Sequence, residues 1–365
     1  MENTPPREEN LVKRLLQGQP VERIPFFPHA SAFCARNVGY PLAAIYNDPK
    51  KSFDAQLWTY EQYGFDWGPI YAFASYGTWE IGEQEEIPVL PGCQGVPPHR
   101  MFPVQSEGAL DRLQFPDPRS AGHIPKAMEF SKIQLTMGTP ISVVLGGIFT
   151  IAANICPLEY LCRWMVKKSD LAHRILRLAT DHITDIVRLW VDTFGVKNFF
   201  PHIHEGLASN RILSPRQFEQ FVFPYLKKSS EKILGMGVKH IFYHICGDQR
   251  FNLPFWSKVP MGNPGICSFG SEMDLDLAVQ YLGRTSIIAG NIDPQRILRG
   301  SPPEVYDLCE KAIEKGKKAP RGFMLMAGCE IPPDSPPYNV YVMRKAIDAH
   351  TSLPTMAWTS ERMPP

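Results

Sequence analysis

"KHIFYHIC", residues 239–246, is a short β-rich run that ends in His244 and Cys246, two soft metal ligands placed directly before Gly247. Its middle is continuously apolar rather than alternating, which is the pattern of a parallel strand covered on both faces. Seven other runs have the same form: "RIPFFPH" from Arg23, "FDWGPIYAF" from Phe65, "PISVVLGG" from Pro140, "KNFFPHIH" from Lys197, "GICSFG" from Gly265, "TSIIAGN" from Thr285 and "GFMLMAGC" from Gly322. Most end in Gly, His, Asn or Cys, and each precedes a longer stretch with helical periodicity. Eight strand–helix alternations predict an α/β fold, a (β/α)8 TIM barrel in one domain rather than a doubly wound sheet.

The intervening helices carry start signals. Ser214-Pro215 opens "RQFEQFVFPYLKKSSEKILGMG" and Ser301-Pro302 opens "PEVYDLCEKAIEKG", with serine able to cap, proline tolerated in the first turn, and Gly316 a stop for the second. From Asp170 a long amphipathic stretch sets Ile175, Leu176, Leu178, Ile183 and Ile186 on one side. Residues 1–19 read as an N-terminal helical extension, 20–352 as the barrel and 353–365 as a Pro- and Ser-containing tail. The Pro-rich interval from Glu83 to about Gly138, between the second and third strands, reads as an insertion or lid.

A formal net charge of +1 with no Lys/Arg block argues against a nucleic-acid partner or a polybasic membrane anchor and favours small or neutral ligands. The N-terminus "MENTPPREENLVKRL" lacks the apolar core of a secretory signal, so a cytoplasmic location is expected. The longest apolar run, 141–155, falls short of the roughly 18 residues that a spanning helix needs. Eight cysteines in such a chain are expected to be reduced thiols, some holding metal.

In a barrel the C-terminal ends of all strands meet on one face. His244 and Cys246 at the end of the fifth run and Cys329 at the end of the eighth are thereby brought to one rim, and alternation along a strand aims His-x-Cys to the same side. Three such ligands suit zinc with one exchangeable position. A lone buried Cys or His is more often core filler, and the pairing of H-x-C-G with G-C-E at two strand ends is what lifts the metal reading above that. Glu272 is the foremost fourth ligand, with Glu330 and Asp248 behind it. The rim is also rich in rings. His29, Phe33, Tyr71, Phe73, Tyr76, Trp79, Phe149 and Tyr243, with Asn291, are candidates to line a pocket for a flat substrate, though aromatic side chains are as often simple core.

The segments "HICGD", "AGNIDPQRILRGSPPEV" and "FMLMAGCEIPPDSPPYNV" resemble the uroporphyrinogen decarboxylase-like superfamily, in particular its branch of zinc- and corrinoid-dependent methyltransferases. The likeness runs from "LLQGQPVERIPFFP" to the last helix. It implies that His244, Cys246 and Cys329 hold Zn²⁺, and that a corrinoid (cobalamin) arrives on a partner protein docking at the C-terminal face, with oligomerisation possible. The arginine-rich M-R-Q-A-G-R type signature of true uroporphyrinogen decarboxylases is missing: "FPHASAFCARNVGY" holds only Arg36.

Some members of the branch methylate the thiol of coenzyme M; others pass methyl from a methoxylated or methylamine-type donor to the corrinoid. The N-terminal third is most similar to members that demethylate methoxylated aromatic compounds. Attack by cobalt(I) on the O-methyl carbon then needs help for the departing oxygen, from zinc or from an acid. His202, His204, Glu205, Asp66 and His29 are candidates for that acid, each with a structural hydrogen-bonding role as the alternative. Thiol methylation, uroporphyrinogen decarboxylation and a non-catalytic corrinoid-protein-binding module remain the competing readings.

Overall fold

The computed structural model describes residues 10–77, 81 and 102–351. Six parallel strands form one sheet in chain order: β1 (Ile141–Gly146), β2 (Phe199–Glu205), β3 (Phe242–Ile245), β4 (Gly265–Phe269), β5 (Ser286–Ile292) and β6 (Phe323–Ala327). Nearly every residue in them is buried, as their unbroken apolar character demands. Helices separate successive strands, the longest being Ser169–Phe194, which buries Ile175, Leu176, Ile183 and Ile186.

The first two expected strands are present as bridges rather than ladders. Phe27 N–H donates to Leu325 O (3.2 Å) and Leu325 N–H to Pro25 O (2.9 Å), which joins the first run to β6. Asp66 N–H donates to Phe26 O (2.8 Å), while Ala74 and Gly146 exchange bonds with Val144 and Ser75 (2.8 Å each), which joins the second run to its neighbours on both sides. These contacts close the ring. The physical reason for the reduced pairing lies in Pro25, Pro28 and Pro69, which bring no N–H to a ladder.

Two other expectations are modified. Part of the supposed insertion is regular: Ile124–Thr136 is a helix, and its Phe130 packs on Phe53 and Tyr71. The insertion's residues 82–101, and Trp79, lie outside the described residues. The helix opened by Ser214 has a capping box with Gln217, but it passes through a π-helical segment, Phe218–Val222, before resuming at Phe223–Gly235. Pro224 cannot donate an N–H, and the wider turn ahead of it takes up the mismatch. No described helix is long and apolar enough to cross a membrane. None of the seven described cysteines is in a disulfide.

Candidate metal centre

β3 turns Phe242 and His244 into the barrel and Tyr243 out of it, because alternate residues share a face. Cys246 follows on the inward side, and β6 delivers Cys329 to the same rim. The imidazole Nε2 of His244 lies 2.7 Å from Cys246 Sγ, and that sulfur lies 3.9 Å from Cys329 Sγ. One ligand atom from each residue falls within 4.8 Å of the others. Two thiolates ~2.3 Å from one tetrahedral zinc stand roughly 3.8 Å apart, so the sulfur separation fits such an ion.

The ring of His244 is oriented from behind. Its Nδ1 is hydrogen-bonded to Ser268 Oγ on β4 (2.8 Å), which leaves Nε2 to face the sulfurs. A shared proton links the thiols: the hydrogen bond to Cys329, reinforced by burial, pushes Cys246 up, while receiving that bond holds Cys329 well below the ordinary thiol value.

Glu272 is close enough for its charge to raise Cys246, but it is exposed and falls outside the compact ligand group. The other two carboxylates are engaged elsewhere. Glu330 accepts from Ala32 N–H (2.9 Å) and burial pushes it up to about 7; Asp248 pairs with Arg250 (2.9 Å).

Beside His244 the barrel interior holds three more imidazoles. His29 stacks on His204 with ring centroids 5.1 Å apart, lies 5.2 Å from His244, and sits 4.9 Å from His202. His202 in turn stacks on Phe242 at 3.9 Å. Burial, then mutual repulsion, drives the basicity of His29, His202 and His204 well below normal, so these rings are neutral. The Nε2 atom of each is buried without a hydrogen-bond partner. Phe73 meets His204 edge-on at 4.9 Å and Tyr76 at 4.4 Å, and Tyr76 is near enough to feel Cys246 and Cys329.

Several expected site residues do other work. Asp66 forms a two-pronged ion pair with Arg23 (2.6 and 2.7 Å) and accepts Phe26 N–H (2.8 Å). It lines a cleft with Pro140, Asn198 and Lys239, residues that precede strands, and so lies at the opposite end of the barrel. Tyr71 donates its hydroxyl to Tyr46 O, and Tyr243 shares a hydrogen bond with Ser230 (2.9 Å) while its ring meets Trp256; both face the helical layer. Phe33 packs on Tyr63 from the helix Ser31–Asn37.

Glu205 is no free acid. It accepts from Phe149 N–H (3.0 Å), Thr150 N–H (3.1 Å) and Thr150 Oγ1 (2.6 Å) and so anchors the start of the helix Ile148–Ile155; Phe149 contributes its amide to this bond. Asn291 donates to Gly270 O (3.0 Å) and Met273 O (2.7 Å), tying down the loop after β4. Ser268 and Phe242 were not foreseen. Strand alternation already implies Phe242, whereas Ser268 depends on the register Ser268↔His244 between strands.

Together these features define an α/β barrel that carries a compact His/Cys/Cys group at the C-terminal face. Residues 7–350 match the uroporphyrinogen decarboxylase (URO-D) family, and the chain belongs to that family. Methylcobamide:CoM methyltransferase MtaA of Methanosarcina barkeri is 22% identical over 352 residues, covering 92% of this chain and 96% of the relative. Uroporphyrinogen decarboxylase of Myxococcus xanthus is 24% identical over 261 residues, covering 69% and 71%. In fold, the chain is similar to a methyltransferase from Methanosarcina mazei, with a TM-score of 0.77 and 22% identity over 93% of this chain and 97% of that one. The expectation of the methyltransferase branch is met by the family match together with the Methanosarcina relatives.

Proposed function

We propose that this protein is a zinc-dependent corrinoid methyltransferase that takes a methyl group from a small methoxylated aromatic donor and passes it to a corrinoid held by a separate protein. The observation that carries this reading is the juxtaposition of a His/Cys/Cys ligand set with a wall of uncharged rings, from Phe73 and Tyr76 to His202. Such a wall suits a flat, neutral substrate. The polycarboxylate of a uroporphyrinogen would need the arginine cluster that residues 27–40 lack.

Within this reading His244, Cys246 and Cys329 would hold zinc, which supplies a Lewis acid at the rim when bound. Ser268 orients the ring of His244 and can accept its Nδ1–H, which leaves the Nε2 lone pair for the ion. Phe73 and Tyr76 flank the donor ring and exclude water. His204, in the layer of His244 and with Nε2 unpartnered, can donate an N–H to the oxygen on which charge grows as the methyl leaves. The C-terminal face must then admit a corrinoid-bearing partner.

Transfer of methyl from a corrinoid to a thiol is the second reading. Two thiolate ligands neutralise a divalent ion and suit activation of a bound thiol, and relatives named as methylcobamide:CoM methyltransferases cover nearly the full chain. A methyl-transfer assay with reduced corrinoid and a panel of methoxyarenes, methylamines and thiols separates the two. Methylcorrinoid formed from a methoxyarene supports the first; methyl loss from methylcorrinoid to thiols alone supports the second. Decarboxylation of uroporphyrinogen without methyl transfer overturns both.

A further inference from the structure

We propose that His29, His204 and His244 form an alternative, all-nitrogen metal-ligand set directly below the thiolate set, and that the shared His244 lets one divalent ion occupy either. The inference rests on the rim site described above and concerns where else in this chain its ion can be held.

The three imidazoles offer ligand atoms that, like those of His244, Cys246 and Cys329, all lie within 4.8 Å of one another. His204 and His244 are register partners on β2 and β3, so they occupy one layer of the barrel, and Cys246 stands one step further toward the rim. His29, arriving from the first run, leans over both. His202 does not join them, since it lies one layer deeper opposite Phe242.

A second observation points independently to a ligand. The Nε2 atoms of His29 and His204 are buried with no partner, and His29 as a whole is only 5% exposed. A buried polar atom left unpaired is costly, so several facing one another mark a place where something else binds. Neutral imidazoles that keep a lone pair suit a borderline divalent ion such as Zn²⁺ or Co²⁺.

Sharing makes the two sets exclusive. The Nδ1 of His244 is held by Ser268, which leaves only Nε2 to give to an ion. Stoichiometry therefore stays at one, while the chemistry changes. Cys246 and Cys329 cancel the charge of a divalent ion, whereas three neutral imidazoles leave it in full, as in hydrolytic three-histidine centres. The inner set thus offers the stronger Lewis acid, which a poor leaving group such as a phenolate calls for.

Cobalt(II) titration tests this without reference to turnover, because thiolate-to-cobalt charge-transfer absorption reports the sulfurs separately from the amount bound. The full chain is expected to bind one equivalent with the charge-transfer band. Cys246→Ser/Cys329→Ser is expected to lose the band and still bind one equivalent, and adding His29→Gln and His204→Gln to it is expected to weaken that residual binding at least tenfold. Absence of residual binding in a cysteine variant with native circular dichroism overturns the proposal, as does residual binding indifferent to His29 and His204. In the cysteine-intact chain, His29→Gln/His204→Gln is expected to leave the band unchanged; its loss means that the two sets are not separate. A wild-type chain that binds cobalt without the band refutes instead the rim site, a different failure.

Discussion

The sulfurs of Cys246 and Cys329 come within 3.9 Å of each other although 83 positions separate them in the chain. β3 and β6 are not neighbours in the sheet, so only closure of the barrel unites them. The centre thus depends on global topology, and each supporting contact can be tested for what it adds.

Ser268 makes no contact with the sulfurs, yet it decides which nitrogen of His244 faces them. Ser268→Ala is expected to lower zinc affinity by roughly 10–100-fold, the usual scale for losing such a supporting bond, and to cost about 1–3 kcal/mol in stability because the buried Nδ1 of His244 loses its partner. Competition with a chromophoric chelator measures it, and wild-type affinity in the variant would show that the ring is oriented by other means.

The rings divide by the face they occupy. Phe73→Ala is expected to raise KM for a methoxyarene while zinc content stays constant, since Phe73 touches His204 and Tyr76. Tyr243→Phe, which loses a buried bond to Ser230, is expected to cost about 1 kcal/mol in urea unfolding and leave KM unchanged. An altered KM in Tyr243→Phe contradicts the assignment of that ring to the helical layer.

This division also shows what the sequence makes legible. Continuous apolar runs ending in Gly, His or Cys are enough to indicate a barrel, and strand-end geometry is enough to unite His244, Cys246 and Cys329. Tyr243 stands beside His244 in the chain, which suggests the pocket, but alternation puts it on the other face from His244. Asp66 was misjudged because it begins a run rather than ending one, so it belongs to the far end of the barrel beside Arg23. Glu205 ends its strand as a catalytic acid would, but its partners Phe149 and Thr150 come from the first turn of the helix after β1, 56 and 55 residues away, and no local pattern announces them. Ser268 is invisible for the same reason: register between strands is a tertiary fact.

Glu205 predicts a pH dependence. Burial, partly offset by its Thr150 and backbone donors, raises its native value to about 7, above the ~4.3 of an unfolded chain. Between these values the native state holds a proton that the unfolded state has released, so stability is fully present below the lower value and falls as pH rises through the higher one. The difference amounts to about 4 kcal/mol. Glu330 acts in the same direction. Urea midpoints between pH 5 and 8 are expected to decline less steeply in Glu205→Gln than in wild type. Equal slopes would mean that the carboxylate is ionised throughout.

Gly328 precedes Cys329 where the loop after β6 crosses the loop after β4. A Cβ at Gly328 would stand 2.7 Å from the backbone nitrogen of Ser271, so one of the two loops must move in Gly328→Ala. The Ser271 loop is held through Gly270 and Met273 by the Asn291 amide, which leaves Cys329, exposed at the rim, as the part that yields. Displacement of its sulfur away from Cys246 is expected to weaken zinc binding by about tenfold or more, comparable to losing a supporting contact at a metal ligand. Global stability should change by no more than ~1–3 kcal/mol, the range for a local overpacking. Measuring chelator competition and urea unfolding on the same variant separates these effects. Unaltered zinc affinity would place the freedom to move in the Ser271 loop and detach the position of Cys329 from that of Gly328.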